Sequence, residues 1–294
     1  MTGALLEIAR APAPRGGIAA PDRALTRAAV AALLGELHAY PKPGLVSPVD
    51  AGAHRDMDFA LMRRSARALR RPLARIAAAG RDGRSFAAGR VPLGLEAERA
   101  MLRATGGVNT HRGAIFTLGL LVAAVARAVA LEIPPTPAAV RAVLRREWGG
   151  ALAAHAAAGE RAASHGGLVR RRTGVAGARG EAALGFPTLF EIGVPAYRQA
   201  LAGGLDANAA RVDTLFALMA ATEDSNVLYR GGVEAGRYVR EAAVAFRAAG
   251  GCARPGWVAR AEALHRDFVR RNLSPGGCAD LLAGTLLLAA VDPA

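Results

Sequence analysis

The sequence predicts an all-α protein, built as a single globular domain of many helices. Hydrophobic residues make up 52% of its 294 positions, enough to fill a large core. Ala and Leu dominate this fraction while aromatic residues are only 5%, a balance that favours closely packed helices over strands. Apolar residues recur at helical spacing along most of the chain, with no linker or fixed-period repeat between them. We therefore expect the functional site to be built from the loops between helices.

The first 20 residues contain several prolines and glycines among small residues, which predicts a flexible N-terminal lead-in. The helical domain is then expected over residues 21–294. Within it the apolar periodicity predicts about ten helices, at residues 25–37, 59–79, 95–105, 113–131, 138–148, 151–163, 212–222, 234–249, 257–269 and 279–291.

The longest uncharged apolar run, residues 114–126, ends at Arg127. It is shorter than the roughly 18 residues that a membrane span needs, so it predicts a core helix. Glu7 precedes every basic residue, unlike the basic start of a secretory signal. These features predict a cytoplasmic protein without a membrane role, in which Cys252 and Cys278 are reduced thiols and not a disulfide.

The formal charge of +14 is carried by arginines spread along the whole chain, with only short runs and no interleaved aromatic residues. This distribution favours a small polyanionic substrate over nucleic acid. Lys42 is the only lysine among the 38 basic residues. Either a compact ammonium with three free donors is needed at this position, or one lysine has survived by chance.

The first candidate segment is the connection over residues 40–58. The prolines on both sides of Lys42 stiffen its loop, which suits a phosphate contact. His54, Asp56 and Asp58 alternate, so an extended backbone would place them on one side, where hard oxygen ligands suit Mg²⁺. The alternative is that Asp56 or Asp58 caps the helix predicted from residue 59.

The second candidate segment, residues 105–112, contains the pair Gly106 and Gly107 and leads into the apolar helix. Glycines allow the backbone to approach a ligand closely, and free amides at a helix start favour an anion. Asn109, His111 and Arg112 supply donors for phosphate or ribose oxygens. An ordinary helix start has the same local pattern.

Two further segments, residues 173–187 and 223–232, combine charged and polar side chains with glycines. Arg179 and Glu181 flank a glycine, so a guanidinium could reach phosphate while a carboxylate faces a sugar or metal; the alternative is a surface ion pair. Asp224 is a candidate metal ligand or base, and Arg230 a phosphate donor.

The last segment, residues 272–280, opens the terminal helix. Ser274 is predicted as the helix N-cap and Pro275 as the first helical residue, so that Asp280 is its main functional candidate. Four histidines have no acidic or cysteine partner at ligand spacing and are interpreted as structural or surface residues: His38, His155, His165 and His265.

Six motifs in this order resemble the triphosphoribosyl-dephospho-CoA synthase family: Pro-Lys-Pro-Gly-Leu-Val, Gly-Ala-His-x-Asp-Met, Gly-Val-Asn-Thr-His-Arg-Gly-Ala-Ile-Phe, Ala-Arg-Gly-Glu-Ala, Ser-Asn-Val-Leu-x-Arg-Gly-Gly and Asn-Leu-Ser-Pro-Gly-Gly. They span residues 42–280. Residues 44–50 look more like the malonate decarboxylase branch than the citrate lyase branch. The chain departs from the family pattern at Tyr40, Arg112, Ser225 and Cys278, where threonine, lysine, threonine and serine are usual.

The resemblance implies an all-helical catalytic domain in which the ribose 2′-hydroxyl of 3′-dephospho-CoA displaces adenine from C1′ of ATP. The product would be 2′-(5″-triphosphoribosyl)-3′-dephospho-CoA, the precursor of a prosthetic group that a downstream transferase attaches to an acyl carrier subunit. By analogy with glycosidases, this displacement uses one carboxylate as base and one acid, for which Asp58 and Glu181 are the candidates.

The same resemblance implies the remaining site assignments. Asp56 and Asp224 are expected to hold Mg²⁺. The expected substrate-binding residues are Lys42, His54, Asn109, His111, Arg112, Arg179, Asn226, Arg230, Ser274 and Asp280. The expected partners are ATP and 3′-dephospho-CoA, with no nucleic acid or membrane, and a homo-oligomer is left open. Two other classes stay open: a helical Mg²⁺-dependent hydrolase of ribosyl or phosphate bonds, and a basic nucleic-acid-binding module.

Overall fold

The computed structural model describes residues 17–158, 165–175 and 177–292, and no β-strand occurs in these ranges. The all-α prediction is confirmed. Numbered in chain order, the α-helices are α1 (Ala20–His38), α2 (Phe59–Ala68), α3 (Arg70–Arg81), α4 (Val91–Thr105), α5 (Arg112–Ala130), α6 (Pro137–Ala158), α7 (His165–Thr173), α8 (Gly177–Ala183), α9 (Val194–Ala202), α10 (Ala207–Ala221), α11 (Ser225–Ala248), α12 (Trp257–Arg270) and α13 (Gly276–Val291).

Three short turns of other helix types complete the described secondary structure. Phe86–Arg90 precedes α4 and Thr188–Gly193 precedes α9, both as π-helical turns, and Gly251–Ala253 is a 3₁₀ turn. Helix α11 bends at Gly232, whose φ of 72° is outside the helical region. This left-handed conformation is one that glycine adopts without a steric penalty.

Helices α5 and α13 form the centre of the core because nearly all of their side chains are apolar. Helix α5 packs against α3, α6 and α13, while α13 packs additionally against α1 and α10. The first turns of α5 and α13 also approach each other closely, since a methyl group on Gly113 would collide with Asp280. The connections before these two helices are therefore brought into one region.

By length and composition α5 could cross a membrane, but 78% of its most apolar window is buried inside the protein. Its surroundings are other helices, so within the described residues it is a core helix, as the sequence predicts. The thiols of Cys252 and Cys278 are free and buried, which also agrees with the prediction.

Several predicted helix boundaries are wrong. The predicted helix 59–79 is broken at Leu69 into α2 and α3. The two helices predicted at 138–148 and 151–163 are one continuous helix, α6, up to residue 158. A buried stripe of Val140, Leu144, Trp148 and Leu152 continues across the glycines at 149–150, and its packing outweighs the roughly 1 kcal/mol that each helical glycine costs.

Other departures lie in the predicted connections and at the N-terminus. Helix α8 and the first turns of α11 occupy segments that were expected to be loops, because glycine-rich polar stretches carry little apolar periodicity. Most of the predicted lead-in over residues 1–20 lies outside the described residues, and α1 already begins at Ala20.

Candidate functional site

The candidate segments meet around the first turn of α13. Gly44, with a φ of 68°, lies so close to the carbonyl oxygen of Leu273 that an added Cβ would overlap it. Gly113 stands against the carboxylate of Asp280 in the same way. The first and second segments are therefore packed directly on the fifth, and this close approach is possible because glycine has no Cβ.

Asp224 joins the fourth segment to the fifth. Its Oδ1 accepts hydrogen bonds from the amides of Asn226 and Val227 at the start of α11, at 2.8 and 3.4 Å. Its Oδ2 accepts from the amide of Cys278 at 2.8 Å. Burial raises the pKa of Asp224, although these amides favour the ionised form. One carboxylate thus links the first turns of two helices.

His54, Arg230 and Ser274 form a polar cluster across three segments. Nη2 of Arg230 donates to Nδ1 of His54 at 3.2 Å, so Nε2 carries the ring hydrogen and donates to Oγ of Ser274 at 2.9 Å. Burial and the charge of Arg230 lower the pKa of His54, which keeps the ring neutral. Nη1 of Arg230 donates to the Ala53 carbonyl and to Oδ1 of Asn272, at 2.8 and 2.9 Å.

The predicted N-cap role of Ser274 is wrong. The cap position of α13 is Pro275, and no side chain caps it. The hydroxyl of Ser274 accepts from His54 instead, since tertiary packing of the two segments offers a partner that sequence position alone does not show.

Lys42 is buried, with 1% of its surface exposed. Its Nζ donates to the carbonyl of Glu36 at 2.8 Å and to Oε1 of the same residue at 2.5 Å. Burial lowers the pKa of Lys42, while the charge of Glu36 opposes this shift. Two of the three ammonium hydrogens are therefore used inside the protein.

Glu36 was missed by the sequence analysis, although the sequence carries a signal for it. It follows Leu25, Ala29 and Ala32 at spacings of four, three and four residues, on the buried face of α1. A carboxylate on an apolar stripe needs a charged or hydrogen-bonding partner. The lone lysine six residues later fills this need.

His265 anchors the loop that carries Lys42. Its Nδ1 donates to the Lys42 carbonyl at 2.7 Å, and its Nε2 lies 3.0 Å from Oδ2 of Asp50. The interpretation of His265 as a structural residue agrees with these contacts, and its acidic partner lies outside any ligand spacing along the sequence. Asp50 is 215 residues away in sequence, so spacing could not reveal it.

His111 lies inside the protein between α2 and α5. The hydroxyl of Thr110 donates to Oγ of Ser65 at 2.6 Å, and this directs the Ser65 proton to Nδ1 of His111 at 2.8 Å. The opposite nitrogen, Nε2, is buried and has no hydrogen-bond partner among the residues that the structure describes. Burial and the nearby charge of Lys42 lower the pKa of His111 to about 4, so the ring is neutral.

This low pKa makes the folding stability pH-dependent. Below the ordinary histidine pKa of 6.5, His111 is protonated in the unfolded chain but stays neutral in the folded protein. Its contribution to the free energy of unfolding therefore falls as the pH drops from 6.5 towards 4. Relative to a His111→Gln variant, we expect the parent to lose about 2.5 kcal/mol of unfolding free energy between pH 7.5 and 4.5. Urea unfolding of both proteins measures this, and parallel pH curves would contradict it.

Two further carboxylates lie near the terminal helix. Glu181 is half-buried, and its oxygens accept from the hydroxyl and amide of Thr188 at 2.7 and 3.2 Å. Burial raises its pKa, and its charge acts on Cys278 of α13. The pKa of Asp280 is raised well above its usual range, by burial and by the charges of Asp224 and Glu36.

Four predicted residues have no hydrogen bond or ion pair to this centre within the described part of the chain. Asp58 caps α2, with Oδ1 accepting from the amide of Leu61 at 2.8 Å. The oxygen of Asn109 accepts from the amide of Arg112, whose side chain pairs with Glu98 at 3.1 Å. The fourth, Arg179, is half-buried on α8, where its charge lowers the pKa of His155.

The expected Mg²⁺ ligands are in different environments. Across residues 17–158, 165–175 and 177–292, no three His, Cys, Asp or Glu side chains are grouped to hold a metal ion. Both oxygens of Asp224 accept backbone amides, whereas Asp56 is 64% exposed and lies 3.7 Å from Nδ1 of His54. Because Mg²⁺ on a nucleotide needs only one or two protein carboxylates, the exposed Asp56 fits such a role. Asp224 is less free for it, since three backbone amides already share its two oxygens.

The site combines hydrogen-bond donors that can bind an anion with carboxylates whose pKa is raised. Arg230, His54 and Ser274 present N–H and O–H groups beside the first turn of α13. Asp280 is part of this helix, and the charge of Glu181 acts on its residue Cys278. Such a site can bind phosphate groups and exchange protons with hydroxyl or ring-nitrogen atoms.

Comparison with known proteins identifies relatives over nearly the full chain. A family model described as ATP:dephospho-CoA triphosphoribosyl transferase matches residues 22–294. A protein of Azotobacter vinelandii (strain DJ / ATCC BAA-1303), named as a probable 2-(5″-triphosphoribosyl)-3′-dephosphocoenzyme-A synthase, is 43% identical over 273 residues, 90% of each chain. A protein of the same name from Acinetobacter calcoaceticus is 38% identical over 261 residues, 89% of this chain and 88% of its own. No solved structure matches.

Proposed function

The chain belongs to the family of ATP:dephospho-CoA triphosphoribosyl transferases, and from this premise we propose that its converging segments around α13 form the transfer site. The chain is a transferase that acts on ATP and dephospho-CoA. The observation that carries the location is that the first and fourth glycine-rich segments, and the glycine directly after the second, contact the fifth segment at the start of α13. Glu181 of the third segment acts on Cys278 of α13 through its charge.

The reaction joins the 2′-oxygen of dephospho-CoA to C1′ of the ATP ribose and breaks the bond from C1′ to N9 of adenine. The acceptor hydroxyl loses a proton, adenine gains one, and the triphosphate stays on the transferred ribose. Positive charge develops on the ribosyl group in such a displacement, so a neighbouring carboxylate stabilises the transition state.

In this proposal the Arg230 cluster binds the triphosphate. A guanidinium has five N–H groups in a fixed fork, and the two contacts of Nη1 hold that fork in place beside His54 and Ser274. Asn226 lies at the same end of α11, with its side-chain amide 2.8 Å from where a Cβ on Gly276 would sit. The other proposed substrate contacts are Lys42, Asn109, His111, Arg112, Arg179 and Asp280.

Glu181 is the proposed general acid for the leaving adenine. Its raised pKa keeps a proton available closer to neutral pH than for an ordinary glutamate, and Thr188 fixes its orientation. Asp58 is the proposed partner carboxylate for the acceptor hydroxyl. Its capping bond to Leu61 engages only Oδ1.

The proposal includes a Mg²⁺ ion bound by the triphosphate, where it would neutralise phosphate charge. Asp56 would hold it from the protein side. It lies near Arg230, whose pKa is lowered by burial and held up in part by the charge of Asp56. Asp224 remains the second predicted ligand.

The proposed destination of the product is the acyl carrier subunit of malonate decarboxylase. Residues 44–50, Gly-Leu-Val-Ser-Pro-Val-Asp, support this branch over that of citrate lyase. A downstream prosthetic-group transferase and a cytoplasmic location belong to the same proposal. Product supplied to each carrier subunit with its own transferase would show which one is modified.

Adenine release measured with and without 3′-dephospho-CoA tests the reaction type. We expect release to require the acceptor and to stop in excess chelator. Release at the same rate without the acceptor would favour a hydrolase, and full activity with chelator would remove Mg²⁺ from the proposal.

Arg230→Ala is expected to raise the KM for ATP about tenfold to 150-fold, the effect of losing one charged hydrogen bond of about 1.5 to 3 kcal/mol. The matched control is Arg237→Ala, on the same helix, whose exposed guanidinium pairs with Glu234 and Glu241. Steady-state kinetics at saturating acceptor measure both variants. A KM unchanged in Arg230→Ala would contradict its role as a triphosphate ligand.

A further inference from the structure

A groove lies on the outside of the molecule between α2, α3 and α4, apart from the Arg230 cluster. Its volume is about 520 Å³, and its walls include Arg71, Arg75, Glu96 and Arg103. Alanines and Pro72 supply the apolar part of its lining. This volume is within the range of small-molecule sites, about 300 to 1,000 Å³.

The charges in this groove are not balanced by the protein. Arg75 pairs with Glu96 at 2.5 Å. Arg71 and Arg103 are exposed, and no ion pair joins either of them to a carboxylate in the described ranges. Each lies four residues from another arginine on its own helix, Arg71 from Arg75 and Arg103 from Arg99, a spacing at which like charges destabilise a helix. A bound anion would relieve this repulsion.

The groove adjoins the second candidate segment. Arg103 and Ala104 are the residues directly before Thr105, where α4 ends at the Gly106 and Gly107 turn. Nε of Arg64 donates to the Ala104 carbonyl at 2.6 Å and so joins α2 to the end of α4. On α2, Ser65 contacts His111 and lies one helical turn from Ala68, which lines the groove. The groove therefore lies beside the end of α4 that leads into the second candidate segment.

We propose that this groove binds the 5′-diphosphate of dephospho-CoA and so positions the acceptor. This inference rests on the proposed function, which assigns the ATP triphosphate to the Arg230 cluster on other segments. Two guanidinium groups without carboxylate partners match a diphosphate, which each can bind through paired N–H donors. The alanine and proline surface suits the apolar faces of the attached adenosine or pantetheine.

The test is the double variant Arg71→Ala/Arg103→Ala. The control is Arg247→Ala/Arg254→Ala, which removes two exposed arginines, one in the last turn of α11 and one directly after the 3₁₀ turn that follows it. Initial rates are measured against dephospho-CoA at saturating ATP, and against ATP at saturating dephospho-CoA. We expect the KM for dephospho-CoA to rise at least about tenfold in the groove variant only, with the KM for ATP unchanged and a melting temperature no lower than that of the parent, because the variant also removes like-charge repulsion.

Calorimetric titration of dephospho-CoA into the same proteins without ATP separates this inference from the proposed function. Loss of binding in the groove variant and not in the control supports the acceptor site even if the parent forms no product. An unchanged KM or affinity for dephospho-CoA overturns it, as does a rise confined to the KM for ATP, which would assign the groove to the triphosphate. Equal effects in both double variants would show a general charge effect and also overturn it.

Discussion

Lys42→Met is expected to lower the free energy of unfolding by about 3 to 5 kcal/mol, because it leaves the buried carboxylate of Glu36 without a charged partner. Urea unfolding of parent and variant measures this difference. The double variant Glu36→Leu/Lys42→Met should recover most of the loss, since it removes both charges and restores an apolar interior. A single variant within about 1 kcal/mol of the parent would contradict the pairing.

Lys42 therefore has two candidate roles, one in binding phosphate and one in stabilising the fold. From the sequence, Lys42 is a rigidly presented phosphate ligand, and the structure leaves one ammonium hydrogen for such a contact. Lys42→Arg separates the two roles, because a planar guanidinium cannot reproduce the compact contact within this buried site. A stable Lys42→Arg protein with a raised KM for ATP would support the phosphate role, whereas a destabilised one with unchanged KM would assign Lys42 to the fold.

Glu181→Gln is expected to reduce kcat about 10² to 10⁴-fold, the usual contribution of a general acid. The amide can keep the contacts to Thr188 but cannot deliver a proton to the leaving adenine. Because burial raises the pKa of Glu181, the parent should also lose activity as pH rises through that pKa, and the variant should lack this limb. Adenine release against pH at saturating substrates gives both quantities.

The matched control is Glu191→Gln, whose exposed carboxylate pairs with Arg141 and also acts on Glu181 through its charge. It should keep kcat within about threefold of the parent. If Glu181→Gln loses no more activity than this control, Glu181 is not the general acid and the assignment passes to another carboxylate.

The helical class and the core could be predicted from sequence because they follow from local composition and periodicity. The apolar run at 114–126 is the buried centre of α5, as expected. Helix ends were harder, since the glycines at 149–150 remain helical only because the buried stripe from Val140 to Leu152 holds both halves of α6 in the core. That packing is a tertiary effect, which a local pattern does not contain.

The candidate site, like the fold, could be predicted from the sequence only in part. The sequence motifs placed His54, Arg230 and Ser274 among the candidates, and the structure joins them by hydrogen bonds. Glu36 and Ser65, the hydrogen-bond partners of Lys42 and His111, were missed because they lie outside the motifs and their contacts depend on how α1 and α2 pack. The sequence already offered the capping role that Asp58 has in the structure, whereas the burial of Lys42 became visible only from its three-dimensional neighbours.

The most direct test of the central assignment, triphosphoribosyl transfer by this chain, is the mass of the product formed from dephospho-CoA and ATP labelled with ¹³C in the ribose. We predict one product that contains dephospho-CoA, the whole labelled ribose and all three phosphates, with one free adenine released for each product molecule. Labelled ribose triphosphate free in solution, or labelled ADP or AMP with unmodified dephospho-CoA, would contradict it.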